Sequence, residues 1–203
     1  MHKHALKYLT PEEYLAMEET AEYRSDYYKG DIFALAGGSI NHNRIIRNLA
    51  TKLDQALSNT SCEAFINDIK IWIKAKELFT YPDVVIICGK PEFYPDRDDT
   101  ITNPILIIEV LSESTKNYDR IEKFEFYRSI PTFQEYILVD QYRVHIDHYY
   151  LESKGKWIYT EYTDMKDVLK FNKIAAQVSL QDIYKKVEFK AEEKADSSRP
   201  SIV

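Results

Sequence analysis

The most regular apolar pattern in the chain lies over residues 41–56. Ile45, Ile46, Leu49, Leu53, Ala56 and Leu57 recur at helical spacing, while Arg44, Arg47 and Lys52 fall mostly elsewhere. Such a stripe predicts an amphipathic helix with one face on a core. A shorter helix is announced by Thr10-Pro11-Glu12-Glu13: a capping Thr, Pro in the first turn and Glu three residues after the cap. It is expected to run to about Thr20. Between the two helices, alternating apolar residues around Lys29-Gly30-Asp31 read as a β-hairpin, with Gly37-Gly38 closing it. Ile69, Ile71 and Ile73 then alternate with Lys70, Trp72 and Lys74, which predicts a half-exposed strand. Residues 81–88 (apolar after Asp83) and 104–111 form denser apolar runs, expected as strands buried on both faces. A helix over 115–130 with Ile121, Phe124, Tyr127 and Ile130 inward follows, then a strand over 136–139. A hairpin of 144–151 and 157–162 around Gly155 and a short last helix begun by Ser179-Leu180-Gln181-Asp182 complete the series. This order predicts one α/β domain over residues 1–189, a sheet flanked by helices. The polar tail KAEEKADSSRPSIV, residues 190–203, is expected to be disordered.

Composition alters this picture little. A chain of 203 residues with 44% hydrophobic and 30% charged residues can bury a core of its own. No apolar run approaches the ~20 residues of a membrane helix. The N-terminal MHKHALKYLTPEEYL lacks the apolar core and small-residue cleavage site of a signal peptide. Cys62 and Cys88 stand far apart without CxxC spacing, which argues against a zinc knuckle or a disulfide scaffold and fits a reducing cytoplasm. The net charge of −6 weighs against a generally nucleic-acid-gripping surface, since that grip comes from basic residues. A carboxylate-bearing active site with local basic surface remains compatible with it.

One carboxylate is out of keeping with its surroundings. Glu109 sits in NPILIIEVL, where an ionised group is costly unless paired or bound to a metal. Asp83, directly after Pro82, opens the preceding apolar run, 26 residues earlier. If the two strands are neighbours, the two acids converge at one place. Adjacent carboxylates repel and each favours its neutral form. A divalent cation resolves that conflict, and oxygen ligands favour Mg²⁺ or Mn²⁺ over zinc. Such an ion activates water and offsets charge on a phosphate under attack. A nearby lysine would assist.

Pro82-Asp83 followed by Glu109 in a later strand is similar to the signature of the PD-(D/E)XK nuclease superfamily. More specifically, RSDYYKGDIFALAGGSINHNRII, FINDIKIWI, TYPDVVIICG, NPILIIEVLSESTKNYDRIEKFEFYRSIPTFQEYILVD and LQDIY resemble the Uma family of predicted bacterial endonucleases, over roughly residues 9–187. The resemblance implies a restriction-endonuclease-like fold, a central mixed β-sheet flanked by helices, and metal-dependent hydrolysis of DNA phosphodiesters. Carried over, Asp83 and Glu109 hold Mg²⁺ or Mn²⁺. The superfamily's usual lysine, two residues after the Glu, is Leu111 here. The matching lysine of the family is Lys123 on the following helix, where Asp119 lies one turn earlier and can pair with it. Asp26 stands where the family usually has Glu and would be a further metal carboxylate. His42 falls in a resembling segment without a clear role. Asp68, at the start of a strand, is expected near the metal or simply exposed.

Each of these residues also has a plainer reading. Asp83 can cap a turn, Glu109 can pair with a structural cation, and Asp26 can be an ordinary hairpin acid. Lys123 can be a solvated helix lysine, with Lys116 as the competing amine. Lys70 can touch a phosphate or merely line a strand, and the tyrosines of the C-terminal hairpin suit a core better than a base-stacking platform. Three functions compete: an active endonuclease, a catalytically inactive nuclease-fold module that binds nucleic acid or regulates, and an unrelated α/β protein in which Asp83 and Glu109 lie apart. A homodimer is compatible with the first, because cutting both DNA strands needs two sites and two-fold dimers are the commonest assembly.

Overall fold

The computed structural model describes residues 8–113 and 115–190. Helix α1 (Pro11–Glu18) begins as its capping residues require: the Thr10 hydroxyl accepts from the Glu13 N–H, and the Glu13 carboxylate accepts from the Thr10 N–H. Strands β1 (Ser25–Tyr28) and β2 (Asp31–Ala34) form the hairpin. Its turn residues Lys29 and Gly30 have φ of 47° and 92°, and positive φ at both positions is what a type I′ turn demands. Helix α2 (Ile40–Leu57) starts where the Ser39 hydroxyl accepts from the His42 N–H.

Then come β3 (Cys62–Ile66), β4 (Lys70–Ile73), β5 (Leu78–Thr80), β6 (Val84–Cys88), β7 (Thr100–Ile101) and β8 (Leu106–Leu111). The helical segment that follows has three parts: α3 (Lys116–Tyr118), a π-helical turn (Asp119–Lys123) and α4 (Phe124–Tyr127). Strands β9 (Glu135–Asp140), β10 (Ile146–Ser153), β11 (Lys156–Tyr162), β12 (Val168–Lys170) and β13 (Gln177–Ser179) lead to α5 (Leu180–Ile183).

Two larger sheets organise the core. The six-stranded sheet has the order β11-β10-β9-β8-β6-β3 and is mixed, with β8 and β9 parallel and its other pairs antiparallel. The five-stranded sheet has the order β2-β1-β5-β4-β7. Ile45, Leu49 and Leu53 of α2 pack on one face of the six-stranded sheet, against Val84, Ile86, Ile108 and Val110. The opposite face, with Val85, Ile107 and Leu111, packs on Ile71, Ile73 and Leu78 of the five-stranded sheet and on Phe126 and Tyr127 of α4. Alternation along β8 therefore turns Glu109, with Ile107 and Leu111, into the layer between the two sheets. The mixed α/β architecture expected from the sequence is the one observed.

Several local expectations are corrected. The strand at 70–73 is buried rather than half-exposed: Lys70 lies inside, its ammonium 2.5 Å from Asp99, which gives it a structural partner in place of a phosphate. The stretch 115–130 is not a uniform α-helix. The wider π turn rotates the chain, so Ile121, expected inward, is 69% exposed, while Asp119 and Lys123 are buried. Tyr127 and Ile130 do face inward. Cys62 and Cys88, expected as separate thiols, are cross-strand partners of β3 and β6 and are joined in a disulfide. Their pairing follows from β3, an edge strand whose short, mixed sequence carries no clear period. The tail expected to be disordered lies, from residue 191, outside the described residues. No helix among the described residues is long and apolar enough to cross a membrane.

Candidate active site

Strand register brings the two predicted carboxylates together. In the antiparallel β6–β8 ladder Val85 pairs with Ile107 and Val84 with Ile108; continued by one residue, it sets Asp83 opposite Glu109. Two hydrogen bonds hold Asp83 to β8. Asp83 Oδ2 accepts from the Val110 N–H at 2.7 Å, and the Asp83 N–H donates to Glu109 Oε2 at 3.3 Å. An arrangement with these acids far apart is thereby excluded.

The π turn supplies the cation. By widening the helix it places Asp119 and Lys123 on the buried side above β8. Lys123 Nζ lies 3.0 Å from Glu109 Oε1 and 3.2 Å from Asp119 Oδ1. The Tyr127 hydroxyl, one turn on, donates to Glu109 Oε1 at 2.7 Å, and the Tyr136 hydroxyl donates to the Asp119 carbonyl at 2.9 Å, fixing the turn. Tyr127 reads in the sequence as a core residue; its i,i+4 spacing from Lys123 was the available signal. Burial pushes the Glu109 carboxyl up to about 8, against the pull of the Lys123 ammonium; the Asp119 and Asp83 charges push in the same direction as burial. Burial alone would lower Lys123, but Glu109, Asp119 and Asp26 outweigh it and hold the amine well above the ordinary lysine value. Lys123 is thus a fixed ammonium in this arrangement.

His42 joins the cluster from the first turn of α2, with Nε2 3.2 Å from Asp83 Oδ2. Its burial favours the neutral ring, yet the Asp83 and Glu109 charges and a backbone hydrogen bond with Val110 raise its pKa. Gly38 makes room for it: a Cβ there would come within 2.7 Å of His42 Nδ1. Asp26 lies on the hairpin side and is tied to β5, accepting from the Thr80 hydroxyl at 3.1 Å and the Tyr81 N–H at 3.3 Å. Burial raises its carboxyl to about 6, opposed by Lys123. Asp68 does not join. Its side chain is 72% exposed and pairs with Arg24. Lys116, the competing amine, reaches outward to Glu113 at 2.7 Å.

Asp83 and Glu109 offer an all-oxygen donor set of the kind hard divalent cations take. His42 Nε2 stands beside Asp83 Oδ2, and in donor chemistry the residues suit Mg²⁺ or Mn²⁺. A second cluster, His145, Asp147 and Glu161, brings ligand atoms within 4.8 Å of one another. There Arg120 already stands 3.2 Å from Asp147, and the Tyr159 hydroxyl donates to the same carboxylate at 2.8 Å. Two cavities open on the Glu109 cluster. One, of about 490 Å³, is lined by Asp83, His42, Asn43 and Tyr81. The other, of about 600 Å³, is lined by Asp26 and Lys123. Leu35 and Ala36 border both.

Comparison with known proteins bears on the family and the fold. A family model, Uma2, described as "Putative restriction endonuclease", matches residues 11–181. The chain is 41% identical over 155 residues to the uncharacterized protein sll1609 of Synechocystis sp., covering 76% of this chain and 88% of that one. It is 38% identical over 183 residues to slr1290 of the same organism, also uncharacterized, covering 89% and 94%. A crystal structure from Anabaena variabilis, described as "a putative nuclease", superposes with a TM-score of 0.70 at 15% identity, covering 87% of this chain and 97% of that one. The fold is shared with that structure.

Proposed function

The chain belongs to the Uma2 family, and on that footing we propose that it is an endodeoxyribonuclease that uses Mg²⁺ or Mn²⁺ to hydrolyse DNA phosphodiester bonds at the Glu109 cluster. The observation that carries this reading is Asp83 set opposite Glu109, its N–H donating to Glu109 Oε2 at 3.3 Å, with the Lys123 ammonium 3.0 Å from Glu109 Oε1. Asp83 and Glu109 are the residues that would hold the ion. A divalent cation there supplies an activated water and offsets charge on the phosphate.

The chain's own residues divide the remaining work. Lys123, held as an ammonium, orients the attacking water and donates to oxygens that gain charge; it is not the base. Tyr127 and the Asp83 N–H fix the two oxygens of Glu109. Asp119 shares the Lys123 charge and keeps the amine over Glu109. Asp26, tied to Thr80 and Tyr81, acts on Lys123 through its charge and is a further carboxylate for the ion. His42 steadies Asp83. A two-fold dimer would present one such site to each DNA strand.

A second reading has its own support. Both Glu109 oxygens already accept hydrogen bonds, from Lys123, Tyr127 and Asp83, which suits a nuclease-fold module that binds nucleic acid without cutting it. Incubating the protein with supercoiled plasmid and Mg²⁺ or Mn²⁺ separates the two. Nicking that disappears with chelator and in Asp83→Asn supports the enzyme. Binding of plasmid, single-stranded and branched DNA without cutting any of them supports the module.

A further inference from the structure

We propose that the cavity beside Lys123 seats one unpaired nucleobase, so that the strand to be cut is single-stranded or locally opened next to the scissile phosphate; this rests on the nuclease reading above. The cavity, about 600 Å³, is within the ~300–1,000 Å³ usual for sites that enclose a small ligand group. Its walls follow from strand geometry. Asp26 and Phe33 are direct cross-strand partners in the β1–β2 hairpin, and Tyr28 lies two residues beyond Asp26, so all three side chains share one face of it. Facing them are Tyr118, Glu122, Lys123 and Phe126 of the helical segment.

The rings of the two sides meet at the cavity's edge. Tyr28 and Phe126 stack with centroids 5.3 Å apart, and Tyr118 meets Phe126 edge-on at 6.4 Å. At the mouth, Phe33 leaves 54% of its surface in water. An exposed flat ring of this kind accepts any base by stacking, whatever its sequence. The charges select the base over the backbone. Asp26 and Glu122 against the single ammonium of Lys123 make a poor seat for a phosphate, while the carboxylates accept from the exocyclic amines and ring N–H groups of bases. Lys123 belongs both to this cavity and to the Glu109 cluster, so a base seated here has its own phosphate beside the carboxylates. A base paired inside a duplex cannot enter a concave pocket without leaving the stack.

The test reads binding under chelation, where no cutting occurs. Oligonucleotides containing fluorescent 2-aminopurine are titrated as single strand and as duplex, beside a strand of the same length built of abasic sugars. The expected result is quenching of the single strand on binding, with affinity at least about tenfold above the duplex and the abasic strand. Phe33→Ala, at an exposed ring where folding is spared, should weaken single-strand binding about tenfold and leave duplex binding unchanged; Tyr118→Leu should act in the same direction. Equal affinity for normal and abasic strands, or indifference to both substitutions while DNA still binds, overturns the base seat and leaves the nuclease reading standing. Failure to bind any of these nucleic acids, together with no Mn²⁺-dependent cutting, overturns both.

Discussion

Glu109 on β8 and Glu135 on β9 are both carboxylates sealed in apolar strands, three positions apart along one parallel ladder in which Leu106 pairs with Glu135 and Glu109 with Leu138. Their neighbours differ in kind. Glu135 meets only donors: His148 Nε2 at 2.6 Å, the Asn172 N–H at 2.8 Å and the Lys173 N–H at 2.9 Å. It clamps β9 to the 172–173 turn and to β10. Glu109 also accepts hydrogen bonds, but it shares its space with Asp83, Asp119 and, across Lys123, Asp26. On the nuclease reading proposed above, burial of a carboxylate alone is no mark of function. The mark is like charge held together beyond what the local donors neutralise, an arrangement that costs stability and that a folded core has no reason to keep.

Exchanging the charges tests that contrast most strongly. Glu109→Gln and Asp83→Asn should each lower Mn²⁺-dependent plasmid nicking by on the order of 10³-fold. Their urea unfolding midpoints should stay equal to the wild type or rise, because repulsion is relieved. Nicking at the wild-type rate in either variant would remove the site from Glu109 altogether.

Glu135→Ala should do the reverse. It strands the His148 ring and two backbone N–H groups in the core, at a cost of about 3 kcal/mol in urea denaturation. Nicking per folded molecule should remain within about twofold of the wild type, for the lost contacts touch no reacting group. A large loss of activity at unchanged stability would show that Glu135, too, belongs to the chemistry.

The two glutamates were not equally legible in the sequence. Glu109 stands out as one acid within PILIIEVL, whereas Glu135 opens its strand and passes for a boundary residue. Asp83 was legible through Pro82-Asp83 and the family resemblance, but its position opposite Glu109 depends on register, which apolar runs do not encode. Lys123 was legible by resemblance only. Counting at 3.6 residues per turn puts Ile121 inside, and the π turn that buries Lys123 instead has no periodic signature. Of the helix α2 stripe read from period alone, Ile45, Ile46, Leu49, Leu53 and Leu57 are buried, whereas Ala56 is exposed. The edge strand β3 was missed, and the Cys62–Cys88 bond with it. Asp68 was a wrong candidate for the cluster because one residue at a strand start can face either way.

A smaller effect comes from pH. Without divalent cations, burial holds the folded Glu109 carboxyl up at about 8, against an ordinary value of 4.5. Between those values the folded chain keeps a proton that the unfolded chain has released. The contribution of Glu109 is therefore fully present below about 4.5 and is lost as pH rises through about 8. Asp26 acts with the same sign between 3.8 and about 6. Urea midpoints taken across this range should fall with rising pH, and Glu109→Gln should flatten the slope. A slope identical in wild type and Glu109→Gln would mean that Glu109 is charged throughout and that Lys123 neutralises it.

The smallest expected effect separates the two amines. Lys116 and Lys123 both lie in the helical segment after β8, seven residues apart, and the sequence alone left either able to serve Glu109. Lys116 is bound instead to the exposed Glu113 at 2.7 Å. Exposed pairs of this kind contribute about 0–1 kcal/mol. Lys116→Ala should therefore shift stability by less than about 0.5 kcal/mol and nicking by less than about twofold. Lys123→Ala should lower nicking by about 10²-fold, since a donor aimed at developing charge is removed. Were Lys116→Ala the more damaging of the two, the amine would come from the solvent side, and the buried ammonium over Glu109 would be a structural partner only.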